Sequence, residues 1–122
     1  IDYVVGVEAR GFIFGGALAY KLGAGFVPVR KKGKLPAKTK SITYELEYGK
    51  GVLEIHEDAL EPNTRVLIVD DLLATGGTIK AVSELVRNQQ ATIAGVAFLV
   101  ELKFLRGIEK LKDLPVYSVI KY

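Results

Sequence analysis

Short apolar runs alternate along the chain with segments whose apolar residues recur at helical spacing. The runs predict five strands, at residues 2–7, 26–30, 65–70, 91–100 and 115–120, and the strands at 2–7, 65–70 and 91–100 are expected to be buried. Helices are predicted from the "EARG" turn to about Leu22, over residues 104–111, and from Thr78, which we expect to cap its helix. In that last helix one face is apolar, formed by Ile79, Val82, Leu85 and Val86.

Residues 41–49 have a different pattern, a strict alternation of apolar and polar side chains. Ile42, Tyr44, Leu46 and Tyr48 fall on one face, and Thr43, Glu45 and Glu47 on the other. This predicts a half-buried strand, with residues 51–56 as its hairpin partner. Residues 31–40 have no apolar periodicity and are interrupted by glycine and proline, so a mobile loop is expected there.

Strands that alternate with helices predict an α/β fold: an open, mainly parallel sheet flanked by helices on both faces. We expect residues 1–122 to form a single domain. Ligands of such sheets bind beyond the carboxyl ends of the strands. Three unusual segments, residues 8–11, 30–34 and 70–78, leave strands at that edge, so they should converge on one crevice.

Composition excludes several classes of function. The chain has no cysteine, which excludes disulfides and thiolate chemistry and agrees with a reducing, cytoplasmic location. No apolar run approaches the roughly 20 residues that span a membrane. A net charge of +3 is too mild to indicate a nucleic-acid partner. Methionine is absent and the chain opens inside a strand, so we expect an upstream segment to be missing.

The sequence "ATGGT", residues 74–78, lies between a predicted strand and a predicted helix. Paired glycines permit a tight turn whose N–H groups point at an anion, and the helix start adds partial positive charge. A terminal phosphate monoester is the natural ligand. The spacing matches neither a Walker loop nor a dinucleotide fingerprint. A turn that merely reverses the chain is the alternative.

Asp70 and Asp71 stand at the predicted end of a buried strand, where uncompensated charge is costly. They could cap a helix, form a salt bridge, bind a cation or accept hydrogen bonds from sugar hydroxyls. A ribose phosphate offers hydroxyls for the carboxylates and a phosphate for the glycine turn.

The stretch "VLIVDDLLATGGT" resembles the motif for 5-phosphoribosyl 1-pyrophosphate (PRPP) in the type I phosphoribosyltransferases. Three further stretches, "ARGFIFG", "RKKGKLP" and "YELEYG", resemble the adenine phosphoribosyltransferase branch of that family. The resemblance extends over essentially the whole chain. It implies purine salvage, in which adenine and PRPP give AMP and pyrophosphate with Mg²⁺ held mainly by PRPP and water.

The resemblance also implies roles for individual residues. The 5′-phosphate would bind Ala74, Thr75, Gly76, Gly77 and Thr78, and the ribose hydroxyls would bind Asp70 and Asp71. Pyrophosphate would bind Glu8, Ala9 and Arg10, together with Arg30, Lys31 and Lys34. Arginine suits this role because its guanidinium grips phosphate oxygens bidentately. A non-proline cis peptide is expected between Glu8 and Ala9.

In the family, a flexible β-hairpin lid corresponds to about residues 30–56, and the residue matching Arg30 reaches a neighbouring subunit, which implies a homodimer. Glu47 and Tyr48 resemble the residues beside the purine, with Glu47 transferring the proton. Glu47 on the solvent face of its strand is the alternative. Leu102 matches a position near the base. A hood that contacts adenine precedes the position of Ile1.

Other functions fit part of the pattern. A regulator that senses PRPP without catalysis would share the acids and the glycine turn, and a phosphoribosyltransferase for another base would share most motifs. A response-regulator receiver needs a phosphoacceptor aspartate at a later strand end, but after Asp71 the only aspartate is Asp113, in a polar turn. His56, the only histidine, is expected to be structural or exposed.

Overall fold

The computed structural model describes residues 1–46 and 48–122. Over these residues the chain forms the following elements: β1 (Tyr3–Val7), α1 (Gly11–Leu22), β2 (Gly25–Lys31), β3 (Thr39–Leu46), β4 (Gly49–His56), β5 (Arg65–Leu73), α2 (Gly77–Asn88), β6 (Thr92–Glu101) and β7 (Val116–Lys121). Two short 3₁₀ turns, Lys103–Leu105 and Gly107–Leu111, lie between β6 and β7.

In the described part of the chain, the strands form one seven-stranded sheet in the order β3-β4-β2-β1-β5-β6-β7. Five adjacent strands run parallel to one another: β2, β1, β5, β6 and β7. Strand β4 is antiparallel to both β2 and β3. The prediction of an open, mainly parallel α/β sheet is therefore confirmed. The antiparallel hairpin of β3 and β4 continues the sheet beyond β2.

Alternating side chains of the central strands bury both faces of the sheet. Val5 of β1 and Ile68 of β5 belong to the larger core, together with the apolar face of α2. Val4 and Val69, one residue away in each strand, face the opposite side and pack with Ala19 of α1. Period-two alternation in a strand produces this arrangement, and burial on both faces explains the unbroken apolar runs.

Three predicted details are wrong. Strand β5 continues to Leu73, so Asp70 and Asp71 lie inside the strand, because pairing with β6 extends past them to Leu73 and Glu101. Thr78 does not cap α2; the cap is Gly76, whose φ of 87° lies in the left-handed region that glycine adopts without strain. Residues 104–111 form no single helix, since Arg106 has a φ of 55°.

Within the described residues, the helices are too short and too polar to cross a membrane.

Candidate active site

The three unusual segments converge at the carboxyl edge of the sheet, as predicted. A cleft of about 340 Å³ opens there, lined by Glu8–Arg10 after β1, by Lys31 at the end of β2, and by Asp70, Asp71 and Thr78 from β5 and α2. Tyr44 of β3 and Leu53 of β4 complete the wall on the hairpin side. The parallel arrangement of β1, β2 and β5 puts the three strand ends at one edge.

The loop of residues 74–78, which we call the phosphate loop after the ligand that the sequence predicts for it, forms a smaller pocket of about 70 Å³ next to the cleft. Ala74, Thr75, Gly76 and Thr78 line this pocket, and Asp70 lines both the pocket and the cleft. Gly77 is the first residue of α2. The pocket therefore lies at the amino end of a 12-residue helix, where free N–H groups and the helix dipole favour an anion.

Asp70 and Asp71 have different electrostatic environments although they are adjacent. Asp70 is largely buried, and this burial raises its pKa to about 7. Asp71 is also partly buried, but a hydrogen bond and an ion pair from the Arg10 guanidinium keep its pKa below the ordinary value. The backbone N–H of Asp71 donates to Oδ1 of Asp70 at 2.8 Å. Near neutral pH, Asp71 is therefore ionised, whereas Asp70 titrates between its neutral and ionised forms.

Glu8 orients the end of β2. Its Oε1 accepts hydrogen bonds from Nε of Arg30 at 2.9 Å and from the backbone N–H of Lys31 at 3.2 Å. Partial burial opposes ionisation, but these donors lower the pKa of Glu8. The Arg30 guanidinium also lies 5.8 Å from the ring centroid of Phe12. The peptide bond between Glu8 and Ala9 is cis, as predicted.

Some residues that the resemblance assigns to the site do not line the cleft. Lys34 is exposed in the connection from β2 to β3, and Tyr48 is 93% exposed at the hairpin turn. Leu102 donates its backbone N–H to the Leu73 carbonyl at 3.0 Å, which places it next to the phosphate loop. Glu47 lies outside the described residues. His56 lies at the end of β4, where its carbonyl accepts a hydrogen bond from Gln89.

Sequence reasoning missed several residues near the site, including Leu53, Tyr44 and Gly107. Tyr44 lines the cleft, and the alternation of β3 marked it only as a buried-face residue. Gly107 lies against the phosphate loop: a Cβ on Gly107 would be 2.9 Å from Cδ1 of Leu73 and 3.1 Å from the carbonyl carbon of Ala74. No local sequence pattern predicts this contact, because it joins segments that are about thirty residues apart in the chain.

Within residues 1–46 and 48–122, no group of three or more His, Asp or Glu side chains is placed to hold a metal ion. The carboxylates of Asp70, Asp71 and Glu8 line the cleft, but Asp71 and Glu8 are paired with arginines. Metal binding here would therefore need oxygen ligands from a substrate as well.

The geometry is that of an α/β domain with a small pocket at a helix start, where an anion is favoured, and a polar cleft beside it. A family model described as "Phosphoribosyl transferase domain" matches residues 1–120. An adenine phosphoribosyltransferase of Acidobacterium capsulatum is 63% identical over 122 residues, which are 100% of this chain and 67% of that protein. The chain belongs to the phosphoribosyl transferase family and, within it, to the adenine phosphoribosyltransferases.

Solved structures agree with this assignment. The adenine phosphoribosyltransferase of Thermoanaerobacter pseudethanolicus superposes with a TM-score of 0.97 at 56% identity, covering 99% of this chain and 70% of that one. The Saccharomyces cerevisiae enzyme, in complex with an imino-altritol bisphosphate and adenine, has a TM-score of 0.94 at 50% identity, covering 98% and 67%.

Replacing Asp70 with asparagine should change how stability depends on pH. Folded Asp70 holds its proton more tightly than an unfolded aspartate, whose ordinary pKa is 3.8. The free energy of unfolding of the wild type should therefore fall, relative to Asp70→Asn, as the pH rises from about 4 to about 7, and stay level above that. Urea denaturation at several pH values across this range measures the free energy of unfolding. Exposed Asp58→Asn is the control, and parallel profiles for wild type and Asp70→Asn would refute the raised pKa.

Gly107→Ala should displace the phosphate loop, because the new methyl group would overlap Leu73 and Ala74. Overpacking of this kind lowers the free energy of unfolding by about 1–3 kcal/mol. Phosphate binding, measured by calorimetry, should weaken with it. Gly16→Ala is a matched control, since a Cβ on Gly16 has nothing within 4 Å. Equal phosphate affinity in Gly107→Ala and Gly16→Ala would contradict the contact's role.

Proposed function

We propose that this chain transfers the phosphoribosyl group of PRPP to adenine, giving AMP and pyrophosphate. The observation that carries the proposal is the set of groups in the pocket and the cleft. A pocket at the start of α2 adjoins, through the shared residues Asp70 and Thr78, a cleft that holds both carboxylates together with Arg10 and Lys31. PRPP presents a phosphate, sugar hydroxyls and a diphosphate, which these groups can bind. The relatives named above, one of them solved with adenine, support adenine as the base.

In this proposal the 5′-phosphate occupies the pocket of residues 74–78, where Thr75 and Thr78 can add hydroxyl donors. Asp70 and Asp71 accept hydrogen bonds from the ribose hydroxyls. The phosphate and ribose positions would be adjacent, because the small pocket and the cleft share Asp70 and Thr78. Fixing both ends of the phosphoribosyl group would hold C1 of the ribose in place for attack.

The diphosphate would be bound by the Glu8–Arg10 turn, with Arg30, Lys31 and Lys34 supplying further positive charge. Glu8 is an acid and already accepts hydrogen bonds from Arg30 and Lys31, so its part is to orient these groups. Arg10 pairs with Asp71 in the free chain, and its exposed guanidinium would exchange that partner for diphosphate oxygens. As pyrophosphate leaves, these cations stabilise its developing charge.

The proposal includes Mg²⁺, held mainly by PRPP and water. Magnesium prefers six oxygen ligands, and Asp70 and Asp71 are the adjacent carboxylates that could contribute to its shell in the cleft. When bound, the metal would neutralise part of the diphosphate charge.

Glu47 is proposed as the group that transfers the purine proton, with Tyr48 beside the base and Leu102 near it. Residues 30–56 would act as a lid that excludes water from the activated sugar. A homodimer and a cytoplasmic location complete the proposal. The dimer rests on the resemblance at Arg30, and the location on the lack of cysteine.

Incubation with PRPP, Mg²⁺ and one base at a time should yield AMP from adenine and no nucleotide from guanine, hypoxanthine or uracil. Chromatography of the products measures this. Asp70→Asn combined with Asp71→Asn should sharply raise KM for PRPP without altering the circular dichroism spectrum. Glu57→Gln combined with Asp58→Asn is the matched control, because both acids are exposed. Binding of PRPP with no nucleotide from any base would favour a sensing regulator instead.

Glu47→Gln should reduce kcat by roughly 10²–10⁴-fold, because a glutamine cannot accept or return a proton. KM for PRPP should change little, since the substitution leaves the phosphate and ribose groups in place. Steady-state kinetics of AMP formation measures both. Glu45→Gln is the control, an exposed glutamate of β3 that lies two residues earlier in the sequence. A wild-type kcat in Glu47→Gln would assign proton transfer to another group or to water.

A further inference from the structure

Glu54, on β4, lies between the two strands that the basic connection joins. The sheet order β3-β4-β2 requires residues 32–38, the crossing segment, to pass from β2 over β4 to β3. Glu54 is in register with Arg30 of β2 on one side and with Ser41 of β3 on the other. It therefore lies under both ends of the crossing segment.

One carboxylate oxygen of Glu54 binds Gly33 near the start of that segment, and the other binds Thr39, the first residue of β3, directly after its end. Oε1 accepts a hydrogen bond from the backbone N–H of Gly33 at 2.7 Å, and Oε2 accepts one from Oγ1 of Thr39, also at 2.7 Å. Gly33 has a φ of 81°, in the left-handed region that favours glycine. Both bonds have the short length of charge-assisted hydrogen bonds.

Charge supports the same arrangement. The hydrogen bond from Thr39, the bond from Gly33 and the nearby positive charge of Lys32 lower the pKa of Glu54, so the carboxylate stays ionised at neutral pH. Arg30 and Lys31 of β2 pair with β4, and two backbone hydrogen bonds also hold the crossing segment: the N–H of Lys32 donates to the Val52 carbonyl at 3.2 Å, and the N–H of Glu57 donates to the Lys38 carbonyl at 3.0 Å. Glu54 thus ties the crossing segment to the hairpin at the point where the hairpin joins the core sheet.

We propose that Glu54 is a positioning residue: it clamps residues 33 and 39 and thereby fixes the backbone between them, from which the exposed Lys34 side chain would extend to the diphosphate of the substrate. The clamp follows from the contacts of Glu54, whereas its consequence for catalysis rests on the proposed function. Glu54 itself touches no reacting group; it acts through the backbone that carries Lys34. Loss of the clamp should affect diphosphate binding and leave adenine binding unchanged.

Limited trypsin digestion tests the clamp in the absence of substrate. In Glu54→Ala, cleavage after Lys34 and Lys38, followed by mass spectrometry, should be roughly tenfold faster than in the wild type, because two charge-assisted hydrogen bonds are lost. Thr39→Val should accelerate it less, and Thr39→Ser, which keeps the hydroxyl, should restore the wild-type rate. Exposed Glu57→Gln is the control, three residues further along the chain. Wild-type cleavage rates in Glu54→Ala and Thr39→Val would overturn the clamp.

Binding and kinetics then test the positioning. Calorimetry with inorganic pyrophosphate and Mg²⁺ should give a roughly tenfold weaker Kd in Glu54→Ala, and AMP formation should show a similar rise in KM for PRPP with KM for adenine unchanged. An equal rise in both KM values would indicate general damage and overturn the positioning role, as would an unchanged pyrophosphate Kd. If Glu54→Ala fails to fold, the Thr39→Val and Thr39→Ser pair decides. A wild-type chain that forms no AMP counts against the proposed function alone, because digestion and pyrophosphate binding require no turnover.

Discussion

The parallel pairing of β1 with β2 and β5 is the constraint on which the rest of the site depends. Val7 is in register with Val29, and Gly6 with Val69, so the three strands end at the same edge of the sheet. Side chains that are far apart in the sequence, such as Glu8, Arg30 and Asp71, are thereby brought to one cleft. Both faces of these strands are buried, which makes a slip in register costly, because every buried side chain would move to the opposite face.

Paired charges explain how one cleft can hold acids and still receive an anion. Glu8 is satisfied by Arg30 and Lys31, and Asp71 by Arg10. Asp70, which is more buried, is close to its titration midpoint at neutral pH. The net repulsion toward a phosphate is therefore smaller than the number of carboxylates suggests. The helix start at Gly76 adds partial positive charge beside the pocket formed by residues 74–78.

Local pattern was a good guide to the strands and to the apolar face of α2, because periodicity reflects which side of an element is buried. It failed where distant segments decide. Strand β5 extends to Leu73 because β6 pairs with it that far, and Gly76 displaces Thr78 as the cap of α2. The 3₁₀ turns before β7 could not be foreseen either; Gly107, which begins the second of them, packs against Ala74, about thirty residues earlier in the chain.

The sequence by itself determined the alternation of strands and helices, the glycine turn, the paired acids and the resemblance that places the chain among the phosphoribosyltransferases. The strands, helices, glycine turn and paired acids are local features, since each depends on residues within one segment, and the resemblance combines four such segments. Only the tertiary structure decided which charges neutralise one another, that Tyr44 lines the cleft, and that Glu54 binds both Gly33 and Thr39. Such contacts join segments that are neighbours in the fold but are separated along the chain, so the local sequence pattern does not predict them.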